Sequence, residues 1–151
     1  MIFVNRKVDG QNLQSSLVAQ GTQAKLLIGN IDQANRDKMI DEFRMTTISS
    51  LICTNVLARG IDVPEVDLVI NFDVPIIPHF GYKHPDFATY MHRVGRTGRF
   101  GTDGIACNLV SDETDDDILD QIAKHYDIEI VTLTSLDELK TIYKSMRDDA
   151  A

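Results

Sequence analysis

Five short, largely apolar segments alternate with amphipathic helical patterns along this chain of 151 residues, and this alternation most constrains its fold. The segments are MIFV, AKLLI, SLICT, DLVIN and GIACNLV. Nearly unbroken apolar runs of this kind are typical of parallel strands that are buried on both faces. Helices that connect such strands cover the two faces of the sheet. The sequence therefore predicts an α/β fold of three α/β/α layers around a mainly parallel sheet.

The helical patterns lie between and after these strands. We predict helices over residues 8–20, 32–44, 86–96, from 114 onward and over 136–146, with Asp32 as an N-cap. Their inward-facing side chains are predicted to be Leu13, Leu17, Val18, Met39, Ile40, Phe43, Ile118, Leu119, Ile122, Ala123, Leu136, Leu139, Ile142 and Tyr143. We predict that residues 73–85 form a loop and that residues 128–131 (IEIV) form a short strand.

Length and composition limit the class of protein. A chain of 151 residues fits one domain, which we place at residues 1–147, with a frayed tail at 148–151. Hydrophobic residues make up 43%, and no apolar run approaches the length of about 20 residues that a membrane helix needs. The start does not resemble a signal peptide. We expect a monomeric intracellular protein without a membrane partner, located in the cytoplasm or nucleus, in which Cys53 and Cys107 are reduced and buried.

The formal net charge of -8 is unevenly distributed. Residues 1–110 hold 11 basic and 11 acidic residues, whereas residues 111–151 hold 4 basic and 12 acidic ones. A local basic site is therefore compatible with the acidic total, but a chain that wraps nucleic acid over its whole surface is not. The acidic run 115–117 has two interpretations: a helix N-terminus, where the helix dipole favours carboxylates, or a contact surface for a protein partner.

The stretch HRVGRTGR at residues 92–99 concentrates three arginines in eight residues. Arg93, Arg96 and Arg99 are spaced by three, which places them close together on a helix or a helix end. Gly95 and Gly98 leave room for close backbone approach, and guanidinium groups suit a forked grip on phosphate. Surface salt bridges are the alternative interpretation. The glycine spacing does not match a dinucleotide-binding fingerprint.

Two further groups follow predicted strands. In NVLARGID, Thr54 and Asn55 come where SLICT ends, and Asp62 follows Gly60 and could bind a sugar hydroxyl. In GNIDQANR, Gln33 and Arg36 share one helix face. Taken singly, each group also has an ordinary interpretation as a cap, a turn or a solvated helix face. Ligands of parallel sheets bind at the carboxyl ends of the strands, which is where these groups are expected.

In this order, the groups resemble the C-terminal RecA-like lobe of a DEAD-box RNA helicase. IFVNRK resembles motif IV, GNIDQANR resembles motif IVa, CTNVLARGID resembles motif V, and YMHRVGRTGRFG resembles motif VI. The resemblance covers nearly the whole chain. It implies an ATP-dependent enzyme that separates short RNA duplexes when two lobes close on ATP and RNA.

The resemblance assigns roles to residues of this chain. Arg96 and Arg99 match arginines that reach the terminal phosphate of ATP, and His92 and Arg93 match residues that couple the two lobes. Asp62 matches a ribose contact and Gly60 provides room beside the nucleotide. The implied contacts with the RNA backbone are Thr54, Arg6, Gly29, Gln33 and Arg36. Contacts of this kind imply little sequence specificity. Ile28 departs from the family, because many members have His before the glycine at position 29.

The segment DVPIIPHFGYKHPDFATY is longer than the usual link between motifs V and VI. It resembles the mRNA-export branch of the family, which acts at the nuclear pore. Members of that branch work with an export factor that docks on this lobe together with inositol hexakisphosphate. A loop insertion unrelated to export is the alternative, because surface loops tolerate added length.

No phosphate-binding loop of the type GxxxxGK[ST] and no Asp-Glu-Ala-Asp occur in the sequence. The resemblance assigns both to an N-terminal lobe, which would also hold the Mg²⁺ that accompanies ATP. We therefore expect that this chain is part of a larger enzyme and is inactive alone. Two other hypotheses remain open: a protein-docking module of a helicase-like protein, with residues 111–151 as the contact surface, and a helicase-like ATPase that acts on DNA.

Overall fold

The computed structural model describes residues 1–55, 66–79, 81–98 and 103–149. In these ranges the strands and helices follow one another as β1 (Ile2–Val4), α1 (Lys7–Ala19), β2 (Ala24–Leu27), α2 (Gln33–Arg44), β3 (Ser50–Thr54), β4 (Leu68–Asn71), β5 (Ile76–His79), β6 (Tyr82–Pro85), α3 (Phe87–Val94), β7 (Ile105–Asn108), α4 (Glu113–Tyr126) and α5 (Leu136–Asp149). The five predicted apolar strands and the five predicted helices are all confirmed.

The five apolar strands form one sheet in the order β2-β3-β1-β4-β7, and every pair is parallel. The predicted α/β class is therefore confirmed. Because all strands run in one direction, their carboxyl ends meet at one edge of the sheet. This edge carries Asn5 after β1, Thr54 and Asn55 at the end of β3, and Asn71 at the end of β4.

Both faces of the sheet are buried under helices. Consecutive residues of a strand point to opposite faces, so Phe3 belongs to the core cluster that includes Ile40 of α2, while Val4 belongs to the cluster that packs against Leu13 of α1. A third cluster joins α3 and α4 through Tyr90 and Ile118. Nearly continuous apolar strands are thus required, because each face has its own core. The prediction for Val18 is wrong: its side chain is 54% exposed.

Three helices begin at an aspartate. The carboxylates of Asp32, Asp86 and Asp112 each accept a hydrogen bond from the backbone N–H three residues later, over 2.9–3.0 Å. Each bond satisfies an amide that lacks a partner in the first turn of its helix. The predicted N-cap at Asp32 is confirmed. At α3, this cap fixes the start of the helix that carries Arg93.

The segment predicted as a loop over residues 73–85 contains a β-hairpin instead. β5 pairs antiparallel with β6, from Ile76 opposite Pro85 to His79 opposite Tyr82. Gly81 has a φ of +81°, which glycine adopts at low cost, and this permits a tight turn. The Pro and His content suggested a loop, but Pro78 lies in a two-stranded ribbon, where the missing N–H is tolerated.

The predicted strand at 128–131 is wrong, since this segment makes no ladder with any described strand. The N–H of Ile128 donates to the carbonyl of Ala123 and so completes the end of α4. Ile128 is 41% exposed and Val131 is 67% exposed. The segment lies instead along a cavity of about 950 Å³ between β7, α4 and α5.

The predicted apolar stripe of α5 borders the same cavity rather than a packed core. Leu136 is 72% exposed and Ile142 is 46% exposed, while Leu139 and Tyr143 are half-buried. The helix continues to Asp149, into the predicted tail. None of the helices in the described ranges combines the length and the apolar character that crossing a membrane would need.

Both cysteines are free thiols. Burial raises the pKa of Cys53 in β3 to about 12, and it also raises the pKa of the half-buried Cys107 in β7. Both thiols are therefore neutral near pH 7. The predicted burial is confirmed for Cys53 and wrong for Cys107, which lies only partly covered in β7.

The two leucines at opposite extremes of burial give a test of this fold. Leu51→Ala in the fully buried β3 should lower the free energy of unfolding by about 2–5 kcal/mol, because it leaves a cavity in the core. Leu136→Ala in α5 should change it by no more than about 0.5 kcal/mol, since that side chain is largely exposed. Urea unfolding measures both values. Equal losses would contradict the loose packing of α5.

Candidate functional site

The carboxyl edge of the sheet is organised around Arg93 of α3. Its side chain is fully buried, and its Cζ lies 5.3 Å from the centre of the Phe3 ring. Nη1 donates to Asn71 Oδ1 at 3.0 Å and to the backbone carbonyl of Asp73 at 2.7 Å. Nη2 donates to Asn5 Oδ1 at 2.9 Å and also to Asn55 Oδ1. We call Arg93 with these four partners the Arg93 cluster.

The Arg93 cluster joins chain segments that are distant in sequence. Asn5 follows β1, Asn55 follows β3, and Asn71 ends β4, so one guanidinium connects three neighbouring strands to α3. Asn5 adds two bonds of its own, from its backbone N–H to Asp73 Oδ2 at 2.7 Å and from Nδ2 to the carbonyl of Val74 at 2.8 Å. The ends of β1 and β4 are therefore held together with or without Arg93.

Burial has an electrostatic cost, and the surroundings of Arg93 reduce it. Desolvation lowers the pKa of Arg93 to about 10, and the negative charges of Asp73 and Asp86 act in the opposite direction. The group stays charged at pH 7. Four oxygen acceptors and an aromatic face replace its water shell. Its Nε has no hydrogen-bond partner. A buried cation held in this way restricts the position of the helix from which it projects.

The position of Arg96 depends on this anchoring. α3 ends at Val94, and the backbone N–H of Arg96 donates to the carbonyl of Arg93 at 3.1 Å. The carbonyl of Arg96 accepts from the N–H of Val66 at 3.1 Å. Its side chain is half-buried. Gly98 has a φ of +67°, so the chain turns at a residue where a side chain would be strained. Arg96 is thus placed by backbone bonds on both sides.

The structure separates the residues that the sequence grouped as catalytic. His92 is exposed on α3 and Arg96 is half-buried, whereas Arg93 is enclosed by the three strand ends. A guanidinium with no exposed surface cannot contact a second lobe directly in this arrangement. We therefore interpret Arg93 as a positioning residue rather than a contact residue. The sequence spacing of three could not predict the burial of Arg93, because it is the same for all three arginines.

The residues predicted to contact RNA lie at or near the same edge. Thr54 is 9% exposed at the end of β3. Gly29 is exposed in the turn that follows β2. Arg6 follows β1, and its guanidinium forms a two-pronged pair with Asp9 at 2.6 and 2.9 Å, which raises its pKa. A phosphate that binds Arg6 therefore has to compete with Asp9.

The helix α2 carries the two remaining predicted contacts. Gln33 is exposed in the first turn, and its Nε2 donates to Asp37 at 2.7 Å. Arg36 is half-buried, and its Nε is buried without a hydrogen-bond partner. Their separation of three residues places them on adjacent positions of one helix face, as predicted. Because this Nε is buried, any contact of Arg36 with a ligand would have to come from the outer nitrogens of its guanidinium.

Three predicted site residues, Gly60, Asp62 and Arg99, lie outside the described residues. Among the described ones, no three His, Cys, Asp or Glu side chains come together as metal ligands would. The large cavity beside β7 is lined by β7, α4, residues 128–135, α5 and two residues of α3, Tyr90 and Val94, but by none of the described arginines of HRVGRTGR.

Sequence reasoning missed the side chains that hold Arg93. Asn5, Asn55 and Asn71 each end or follow an apolar strand, and Asn71 is fully buried. The available signal was an amide side chain at the end of each of three apolar strands, because an amide that becomes covered there requires a polar partner. Nothing in the sequence shows that this partner is the same arginine for all three.

The anchoring role of Arg93 predicts a large effect on stability. Arg93→Met keeps the length of the side chain but leaves the four oxygen acceptors of the cluster without this donor. It should lower the free energy of unfolding by about 3 kcal/mol or more. The control, Arg147→Met, removes an exposed arginine that pairs with Asp67 at 3.6 Å and should cost less than about 1 kcal/mol. Chemical denaturation measures both. Similar losses would contradict the anchoring role.

Residues 1–101 match the family model of the helicase conserved C-terminal domain. ATP-dependent RNA helicase DBP5 of Kluyveromyces lactis is 44% identical over 147 residues, which cover 95% of this chain and 31% of that protein. The dbp5 protein of Aspergillus clavatus is 42% identical over 148 residues, which cover 95% of this chain and 30% of that protein. The chain thus spans about a third of the length of the curated relatives that it matches.

Solved structures agree with this relationship. The structure of the C-terminal domain of the DEAD-box protein Dbp5 has a TM-score of 0.84 at 41% identity, over 95% of this chain and 80% of that one. Saccharomyces cerevisiae Dbp5 bound to RNA and ADP BeF3 has a TM-score of 0.85 at 40% identity, over 96% of this chain and 37% of that one. With the family match and the parallel sheet, these similarities show that the chain belongs to the helicase conserved C-terminal domain family, as the RecA-like C-terminal lobe of Dbp5-type DEAD-box RNA helicases.

Proposed function

We propose that this chain is the C-terminal half of an ATP-dependent RNA helicase, and that it supplies arginines to ATP and part of the grip on the RNA backbone. The observation that carries the proposal is the Arg93 cluster. It fixes α3 against three strand ends and so sets where Arg96 leaves the helix. The DBP5 relatives are ATP-dependent RNA helicases, and the yeast Dbp5 structure binds RNA and ADP BeF3.

In this proposal Arg96 and Arg99 approach the terminal phosphate of ATP across the cleft between two lobes. Charge develops on the transferring phosphoryl group, and a guanidinium held in advance stabilises that charge without reorganising during the step. The backbone bonds on both sides of Arg96 provide such preorganisation. Asp62 binds the ribose, Gly60 leaves room beside it, and the exposed His92 faces the other lobe.

The nucleotide is ATP with Mg²⁺, and the metal is assigned to the N-terminal lobe. Bound Mg²⁺ would neutralise charge on the phosphates during transfer. This chain contributes the guanidinium groups on the opposite side.

The RNA backbone is gripped by Thr54, Gly29, Gln33, Arg36 and Arg6. These residues offer a hydroxyl, an exposed glycine turn, an amide and guanidinium groups, all of which suit phosphate and sugar oxygens. The half-buried Arg36 and the exposed Gln33 lie on one face of α2, which supports a shared contact with the backbone. Because no base edges are read, the grip is independent of sequence.

We further propose that the parent enzyme acts in mRNA export at the nuclear pore, with an export factor and inositol hexakisphosphate as partners. A Saccharomyces cerevisiae Dbp5 C-terminal domain bound to Gle1 and IP6 has a TM-score of 0.79 at 39% identity, over 96% of this chain and 80% of that one. Another yeast Dbp5 structure contains Nup159 as well. The export-branch link of the sequence forms the hairpin β5–β6, which packs on α4.

The acidic start of α4 favours its interpretation as a helix N-terminus over the docking hypothesis. Asp112 caps the helix, and Asp115 accepts from the backbone N–H and hydroxyl of Ser111. Lys83 of β6 lies 3.7 Å from both carboxylates. Asp112 and Asp115 therefore have partners within the domain, and their charges attract Lys83 and hold the hairpin β5–β6 against α4.

The test joins this chain to a DEAD-box N-terminal lobe and measures RNA-stimulated ATP hydrolysis. The chain alone should show no RNA-stimulated ATP hydrolysis, and the two-lobed protein should hydrolyse ATP. Arg96→Ala in the two-lobed protein should reduce turnover by about 10³-fold, as loss of an arginine finger does elsewhere.

The matched control for this experiment is Arg147→Ala, an arginine of α5 that should leave turnover unchanged. Stimulation by DNA equal to that by RNA would favour the alternative of a DNA-acting ATPase. Full activity of the Arg96→Ala variant would contradict the assignment of this arginine to ATP and would favour the hypothesis that the chain is a protein-docking module.

A further inference from the structure

We propose that Asn71 is a positioning residue for ATP hydrolysis: it holds the Arg93 guanidinium in the orientation from which α3 presents Arg96, and Asn108 in turn fixes the Asn71 amide. The inference rests on the proposed function for its effect on the reaction. The geometry on which it depends belongs to this chain alone.

Asn71 has no exposed surface, and both ends of its amide are used. Oδ1 accepts from Arg93 Nη1 at 3.0 Å, and Nδ2 donates to Asn108 Oδ1 at 2.8 Å. Asn71 lies opposite Asn108 in the parallel pair of β4 and β7, so the backbone register sets the side-chain contact. A buried amide with both ends bonded has one orientation, because turning it over would place like atoms together.

The row of hydrogen bonds continues from Asn108 to α3, the helix that carries Arg93. Asn108 Nδ2 lies 3.3 Å from the Tyr90 hydroxyl, to which it donates. Tyr90 is 3% exposed and lies on α3, one turn before Arg93. The row therefore starts on α3 at Tyr90, crosses β7 and β4, and returns to α3 at Arg93. It holds the helix against the sheet at two points and fixes its rotation.

Apolar packing alone would leave this rotation less defined. Without the Asn71 oxygen, Nη1 keeps one partner, the carbonyl of Asp73, and Nη2 keeps Asn5 and Asn55, so the guanidinium loses its bond to β4 and its position is less narrowly fixed. Arg96 follows Arg93 by three residues, so a small turn of α3 moves the guanidinium of Arg96 relative to the phosphate. Misplacement of about 1 Å at a catalytic group can cost about 10²-fold in rate.

The discriminating pair of variants is Asn71→Leu and Asn71→Asp in the two-lobed protein. Leucine is of similar size and removes both bonds. Aspartate keeps an acceptor for Arg93, and the Asn108 amide can turn over, donating to the new carboxylate while its own oxygen accepts from the Tyr90 hydroxyl. We expect kcat to fall about tenfold or more for Asn71→Leu with little change in the KM for ATP. Asn71→Asp should retain kcat within about threefold.

Two controls separate positioning from a general loss of stability. Ile122→Val removes one methyl group from a fully buried side chain of α4 and should lower the melting temperature without changing kcat. The double variant Asn71→Leu/Asn108→Leu should lose no more activity than Asn71→Leu alone, since both act through one row of bonds. If the losses of kcat in the two single variants add up in the double variant, Asn71 and Asn108 do not act through one row of hydrogen bonds.

A readout without ATP keeps the inference separate from the proposed function. Exchange of the Arg93 Nη protons with solvent, followed by NMR in the complete 151-residue chain, should become about tenfold faster in Asn71→Leu and stay unchanged in Asn71→Asp. Faster exchange with an unaltered kcat would overturn the role in the reaction. Unaltered exchange would overturn the inference itself. An inactive two-lobed parent would refute the proposed function, and the exchange result would still decide whether Asn71 holds Arg93.

Discussion

The buried guanidinium of Arg93 is the interaction on which the arrangement of the candidate site depends. A charged group without exposed surface is tolerated only when its hydrogen-bond donors are matched. Here the matching oxygens come from segments that follow three different strands. The stabilisation is therefore mutual. The oxygens at the strand ends compensate for the burial of the Arg93 guanidinium, and the guanidinium holds those strand ends and α3 in fixed positions.

This arrangement explains why motif VI contains arginines of unequal exposure. Arg93 points into the sheet and Arg96 is half-buried at the helix end, although both belong to the same repeat of three. Arg93 is held by side-chain bonds to the strand ends, and the backbone of Arg96 is held by bonds to Arg93 and Val66. A site that stabilises a transition state needs such rigidity, since reorganisation during the step would reduce the gain.

The two ends of the domain differ in how firmly they are built. Around β1 and β3 the core is fully buried, with Phe3, Leu51 and Ile52 inaccessible to solvent. Beyond β7 the packing is loose: a cavity of about 950 Å³ separates the strand from α5, and the apolar side chain of Leu136 remains exposed. The candidate site lies at the carboxyl ends of the tightly packed strands.

The sequence by itself determined the parallel sheet, its five strands, its five helices and the motifs at the strand ends, because burial on both faces demands apolar runs and each motif is local. It could not show that IEIV stays outside the sheet, because the pairing of that segment depends on distant neighbours. The hairpin of β5 and β6 is a local pairing, and the Pro and His content of the segment concealed it. Only the tertiary structure decided that Arg93 is buried and that Asn5, Asn55 and Asn71 converge on it. Such convergence arises from strand order, and β1 lies between β3 and β4 through crossovers that no local pattern encodes.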